Sequence, residues 1–236
     1  MVHIATIFLL LILTAAVSVS AEAGWWRDDF HTKALENWWI EPENFVQESV
    51  WRVQDGFLTA TIQTEWAVKY ELFGFRALPR PYHQFIVQAE NLGGEGANIG
   101  LGLAKIFPDA PGAKWFFYLF FPHQIAATRF DADHKNAPFL VRVPQHPDTF
   151  WDTWELEELE VRFTAGHFQL FADGTQRATF QDADFSFIDI IGFVIEGNNH
   201  RKGRVWADAF TISGPALEVS PTAKMTTTWG YLKNQP

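Results

Sequence analysis

The chain has 236 residues, 47% hydrophobic and 19% charged, so it can bury a sizeable core and does not read as a disordered segment. Its formal net charge of -10 argues against a nucleic-acid partner, which needs clustered Lys and Arg, and against docking on anionic lipid. Cysteine is absent, which removes disulfides, thiolate metal sites and Cys nucleophiles from consideration.

The first element in chain order lies outside the fold. Ile4 to Leu13 is almost wholly apolar and leads into small residues ending at Ala21. That pattern reads as a secretory signal peptide over residues 1–21, cleaved after Ala21 or Ala23. The apolar run falls short of the roughly 20 residues needed to span a bilayer. The expectation is a secreted or extracytoplasmic protein with no membrane insertion after signal removal. The sequence carries no signal for its oligomeric state.

The mature chain reads as strands. Aromatic residues make up 16% of the chain, and they favour pleated, half-buried surfaces. Val50 to Gln54 alternates and meets Asp55-Gly56, a tight hairpin signal followed by Phe57 to Ile62. Further strands are expected over Trp66 to Phe73, His83 to Glu90, Asn98 to Ile106, Lys114 to Phe121 and Phe139 to Val143. Gly93-Gly94-Glu95-Gly96 is expected to be a turn. Lys114 to Phe121 is continuously apolar, as a central strand buried on both faces would be.

The acidic stretch Thr153 to Val161 is read as a strand with a bulge near Glu157 and Glu158. His167 to Ala172, Ile190 to Ile195 and Arg204 to Ile212 complete the set, with Asp173-Gly174 as a further turn. Many short strands without helical spacers predict an all-β, two-sheet antiparallel sandwich or jelly roll. This domain is expected to cover residues 22–214. The polar segment 215–236 forms a C-terminal extension, whose Trp229 and Tyr231 suggest docking on the sandwich.

The order of several pieces resembles a known group. Asp28-Asp29-Phe30, Trp38, and Trp51 through Leu58 look like the opening of laminin-G-like, concanavalin A-like domains. Trp151 and Trp154, the strand Leu159 to Phe163, the Gly166 turn, and Phe168 to Gly174 look like their middle. Ile191-Gly192-Phe193 and Val205 to Ser213 look like their closing strands. The resemblance covers about residues 26–214 and implies a concanavalin A-like jelly roll. That superfamily holds lectins, adhesion modules and glycoside hydrolases, so it leaves activity open.

Three sets of site residues follow. Glu155, Glu157 and Glu160 are similar to the Glu-x-Asp-x-x-Glu strand of family 16 glycoside hydrolases, with Glu in place of the middle Asp. Retaining chemistry would need two of those carboxyls about 5–5.5 Å apart. A run of Glu is more often a solvated face. The eight His form no His-x-His or His-Glu-x-x-His pair, so zinc is not indicated. Asp28, Asp29 and Asp208 would meet if the first and last strands pair, and domains of this class often hold a structural calcium; no other cofactor is expected.

Exposed aromatic rings stack on sugar C–H faces, while amide and acid groups bind hydroxyls. Trp66, Trp115 and Trp151, with Asn98 and Asn198, are the candidate ligand-binding set. The reading is a secreted, non-catalytic carbohydrate-binding module whose partner is an extracellular glycan or polysaccharide. The alternatives are a glycoside hydrolase or lyase on the same fold, or an adhesion module binding protein.

Overall fold

A computed structural model describes residues 24–32, 35–40, 49–63, 69–75, 81–106, 113–121, 124–130, 139–144, 153–197 and 202–215. These form sixteen strands and no helix. In chain order they are β1 (Gly24–Asp28), β2 (Trp38–Ile40), β3 (Ser49–Gln54), β4 (Phe57–Gln63), β5 (Lys69–Phe75), β6 (Gln84–Glu95), β7 (Ala97–Ile106) and β8 (Ala113–Phe121). There follow β9 (Gln124–Phe130), β10 (Phe139–Pro144), β11 (Trp154–Thr164), β12 (His167–Ala172), β13 (Thr175–Gln181), β14 (Ile190–Gly197), β15 (Lys202–Ala207) and β16 (Ala209–Gly214).

They assemble into two antiparallel sheets. A nine-stranded sheet runs β13-β12-β11-β6-β15-β4-β3, with β16 also on β6 and β1 on β16. A seven-stranded sheet runs β10-β9-β8-β7-β14-β5-β2. This is the expected two-sheet jelly-roll sandwich. The first and last strands do pair, with Asp28 opposite Phe210. β8 lies inside its sheet, between β7 and β9, as its apolar run predicted; the expected burial of its two faces lies outside the described residues. The signal segment and residues 216–236 lie outside the described residues.

Three two-residue turns fold the hairpins β3–β4, β11–β12 and β12–β13. Their central pairs are Asp55-Gly56, Ala165-Gly166 and Asp173-Gly174, all with positive φ. That is the turn whose twist matches paired strands, and it explains the Asp-Gly signals.

Alternation along each strand sends one set of side chains inward. Leu58, Ala60 and Ile62 of β4, Val87 and Ala89 of β6, and Val161 and Phe163 of β11 meet Ile99, Leu101 and Leu103 of β7 and Phe193 and Ile195 of β14 in one buried core. Trp38 joins the two layers. Its ring lies 5.2 Å from Phe73, 5.7 Å from Phe193 and 5.0 Å from Phe210, and its Nε1 donates to Asp28 Oδ2 at 2.9 Å. Burying the indole is favourable only because that polar atom has an acceptor.

Two expectations need correction. Gly93 and Gly94 belong to β6, and the chain reverses at Gly96 with φ 66°. Neither glycine is there for a turn. A Cβ on Gly93 would stand 2.2 Å from the Trp206 ring, and one on Gly94 would stand 2.3 Å from the Ala97 carbonyl oxygen and 2.6 Å from Trp154 Nε1. Arg204 to Ile212 is two strands rather than one, because the Asp208 N–H leaves the pattern to donate to the Glu90 carbonyl.

Candidate functional site

The outer face of the nine-stranded sheet carries the predicted acids. β11 begins with Trp154 and Leu156 inward, then switches so that Leu159, Val161 and Phe163 point inward. The β11–β6 ladder has no Glu157–Asn91 pair, and Asn91 takes φ 49°. At the switch the N–H groups of Glu157 and Glu158 both donate to Asp173 Oδ1, each at 3.0 Å. The irregularity expected at Glu157–Glu158 is therefore present, and the Asp173-Gly174 turn supplies its acceptor.

The switch keeps Glu155, Glu157 and Glu160 on this outer face, but only the first two line the same recess. Glu155 and Glu157 are exposed and line an open recess of about 680 Å³. Glu160 does not line it. Its carboxylate is 5% exposed and accepts from Gln88 Nε2 and Arg162 Nε, both at 2.6 Å. Arg162 in turn lies over the Phe171 ring. Glu158 stands beside the recess. Burial, followed by the nearby charges of Glu160, Glu90 and Asp173, pushes its carboxyl above the usual range.

Four strands and one turn contribute to the recess. Phe57 comes from β4, Trp206 from β15, Asn91 and Leu92 from β6, Glu155, Leu156 and Glu157 from β11, and Asp173 from the turn after β12. Three inter-strand spacings and a fourth to the turn after β12 give it a reach of about 19 Å across the sheet. Its aromatic walls are Phe57, which is 36% exposed, and the half-buried Trp206. Trp206 sits on the outer side because Val205 and Ala207 alternate with it into the core. Asn91 Nδ2 donates to Asp208 Oδ2 at 3.0 Å, which orients the amide at the recess edge.

The other predicted residues are placed as follows. Asn98 lies on β7 and alternates with the core residue Ile99, so it faces away from the sandwich interior. It is 5% exposed and donates from Nδ2 to Glu196 Oε2 at 2.8 Å. Leu72 and Val194 on the same side of the sheet are also fully buried, so this face is closed around the pair. Trp115 pairs through its main chain with Ala104 and Phe130. Trp66, Trp151 and Asn198 lie outside the described residues.

Asp28 uses both carboxylate oxygens, accepting from the Phe30 N–H and from Trp38. Asp29 accepts from the His31 N–H. Asp208 is engaged by Asn91. Among the described residues, no group of three or more His, Asp and Glu is arranged to hold a metal.

Sequence reasoning missed Trp206 and Phe57. The signal for Trp206 was its parity in Arg204-Val205-Trp206-Ala207, with an aromatic at the polar phase of the strand. The other described tryptophans mostly serve the core. Trp51 stacks on Phe73 at 4.4 Å and donates to Glu71, and Trp154 donates to the Ala97 carbonyl.

No protein-family model matches the chain, and no curated protein does. Solved structures do share its fold. The GlcNAcα1-4Gal-releasing endo-β-galactosidase of Clostridium perfringens matches with a TM-score of 0.55 and 9% identity over 80% of this chain, which spans 62% of that enzyme. The catalytic domain of an endo-1,3-β-glucanase from Thermotoga petrophila matches at 0.52 and 11% identity, over 80% of this chain and 98% of that one. The Emp46p carbohydrate recognition domain matches at 0.54 and 9%, over 78% of this chain and 93% of that one. At such identities the likeness is one of fold, a two-sheet antiparallel jelly roll.

Proposed function

We propose that this chain is an exported glycan-binding module that does not turn its ligand over, and that it binds through the recess on the nine-stranded sheet. The observation that carries this reading is the half-buried Trp206 lining an open recess beside Asn91, Glu155, Glu157 and Asp173. A pyranose ring offers an apolar C–H face to such an indole and hydroxyls to the acceptors around it. The structural neighbours, an endo-β-galactosidase, an endo-1,3-β-glucanase and a carbohydrate recognition domain, agree in ligand class.

The engagement of Glu160 outside the recess speaks against turnover there. Glu160 is engaged by Arg162 and Gln88 and does not line the recess with Glu155 and Glu157, which supports a non-catalytic reading. A hydrolase remains the second reading, because Glu155 and Glu157 share the recess.

The test is calorimetry of the mature chain with soluble β-glucans and β-galactans, paired with an assay for released reducing ends. Trp206→Ala is expected to weaken binding several-fold with unchanged thermal unfolding, and no reducing ends accumulate. Hydrolysis lost in Glu155→Gln or Glu157→Gln would establish the enzyme instead.

A further inference from the structure

The charges on the outer face of the nine-stranded sheet are treated unevenly. Away from the recess, Glu90 and Glu160 have cationic partners. Glu90 forms a two-pronged pair with Arg27, whose second nitrogen donates to Glu90 Oε2 at 2.9 Å, and Arg27 also donates to Thr211. Glu160 has Arg162. Inside the recess the pattern reverses. Among the described residues, Glu155, Glu157 and Asp173 line it, and no Lys, Arg or His does. Glu155 and Glu157 have no hydrogen-bonding or ion-pairing side-chain partner among the described residues.

We propose that the recess selects a cationic glycan, an oligosaccharide of amino sugars with free ammonium groups. This rests on the glycan-binding reading above and names the class of ligand. A neutral sugar would displace water from two unpaired carboxylates and return only hydroxyl hydrogen bonds. A uronic acid or sulfated glycan would be repelled. An amino sugar supplies what the lining lacks: a C–H face for Trp206 and Phe57, and an ammonium donor for Glu155 and Glu157. Charge-assisted hydrogen bonds of that kind are about twice as strong as neutral ones. A reach of about 19 Å suits three or four pyranose units laid across the strands.

The experiment titrates the mature chain with three β-1,4-linked hexamers: glucosamine, N-acetylglucosamine and glucose. Oligolysine of equal charge is the fourth ligand. The glucosamine hexamer is expected to bind roughly fivefold or more tightly than its acetylated counterpart, the scale of two partly exposed ion pairs. That preference should shrink as salt rises. It should disappear in Glu155→Gln/Glu157→Gln, while Trp206→Ala weakens all three sugars. Both glutamates are exposed, so the double variant is expected to fold.

Equal binding of the three hexamers, still dependent on Trp206, would overturn the cationic preference and leave the glycan-binding reading standing. Binding of none would overturn both. Oligolysine binding as tightly as the glucosamine hexamer would show that charge alone is read, and would overturn the sugar class.

Discussion

The Trp206 indole occupies the space that a side chain at Gly93 would need. A Cβ built on Gly93 falls 2.2 Å from two ring carbons and 2.6 Å from Nε1. The two residues are direct partners across β15 and β6, and Glu155 is the partner of Gly93 on its other side. The glycine thus lets an aromatic wall and an acid share one row of the sheet.

Gly93→Ala is therefore expected to destabilise the fold by about 1–3 kcal/mol, the usual range for overpacking. The diagnostic measurement is a double-mutant cycle by urea unfolding. In a Trp206→Ala background the same alanine should cost close to nothing, because the clashing ring is gone. An equal cost in both backgrounds would show that the indole is not the obstacle.

Asn98 was expected to touch ligand, yet it is buried against Glu196. Asn98→Ala removes a donor from a buried carboxylate and should cost about 1–3 kcal/mol. Asn98→Asp should cost more at neutral pH, because it places a second carboxylate in the same buried spot. Unfolding midpoints at neutral and mildly acidic pH should show the Asp variant recovering part of its loss as the pair takes up a proton.

Arg27 and Glu90 tie β1 to the sheet. Hydrogen bonding to Arg27 holds the Glu90 carboxyl below the usual glutamate range, and the same bond raises the Arg27 guanidinium. Because the folded value is the lower one, the stabilisation is present above the unfolded glutamate pKa and is lost as pH falls through the folded value. Both side chains are about one-third exposed, so the pair should contribute less than about 1 kcal/mol. Glu90→Gln is expected to lower the unfolding midpoint slightly at neutral pH and to leave it unchanged once the carboxyl is protonated.

Glu158 is predicted to behave in the opposite sense. Burial and neighbouring acids raise its pKa, so its ionised form costs stability, and the cost appears as pH rises through the folded value. Glu158→Gln should raise the melting temperature at neutral pH by about a degree or two. The gain should vanish in acid, where the wild-type carboxyl is already neutral. A loss at neutral pH would mean that the charge itself is held by a partner.

Local pattern carried much of the fold in the sequence itself. The alternation Ile99, Leu101, Leu103 against Gly100 and Gly102 gives the inward face of β7 directly, because a strand's side chains alternate whatever surrounds it. The Asp-Gly pairs at 55 and 173 gave hairpins for an equally local reason, since both positions must accept positive φ. The acidic strand and its irregularity near Glu157 were legible too. Its cause was not, because the acceptor Asp173 is fifteen residues away in sequence from Glu158.

What only the tertiary structure decided is which residues share a recess. Gly93-Gly94 carries the composition of a turn, yet it is strand, because the rings that need those two positions empty belong to Trp206 and Trp154 on neighbouring strands. Glu155 and Glu160 read as one motif, and the switch between Leu156 and Leu159 keeps both on the outer face, yet they part, because Gln88 on β6 and Arg162 engage Glu160 further along the strand. Trp206 and Phe57 come from strands far apart in sequence and stand over the same acids. Such placements depend on strand order and register across a sheet, and those are fixed by the packing of the whole core rather than by any one segment's period.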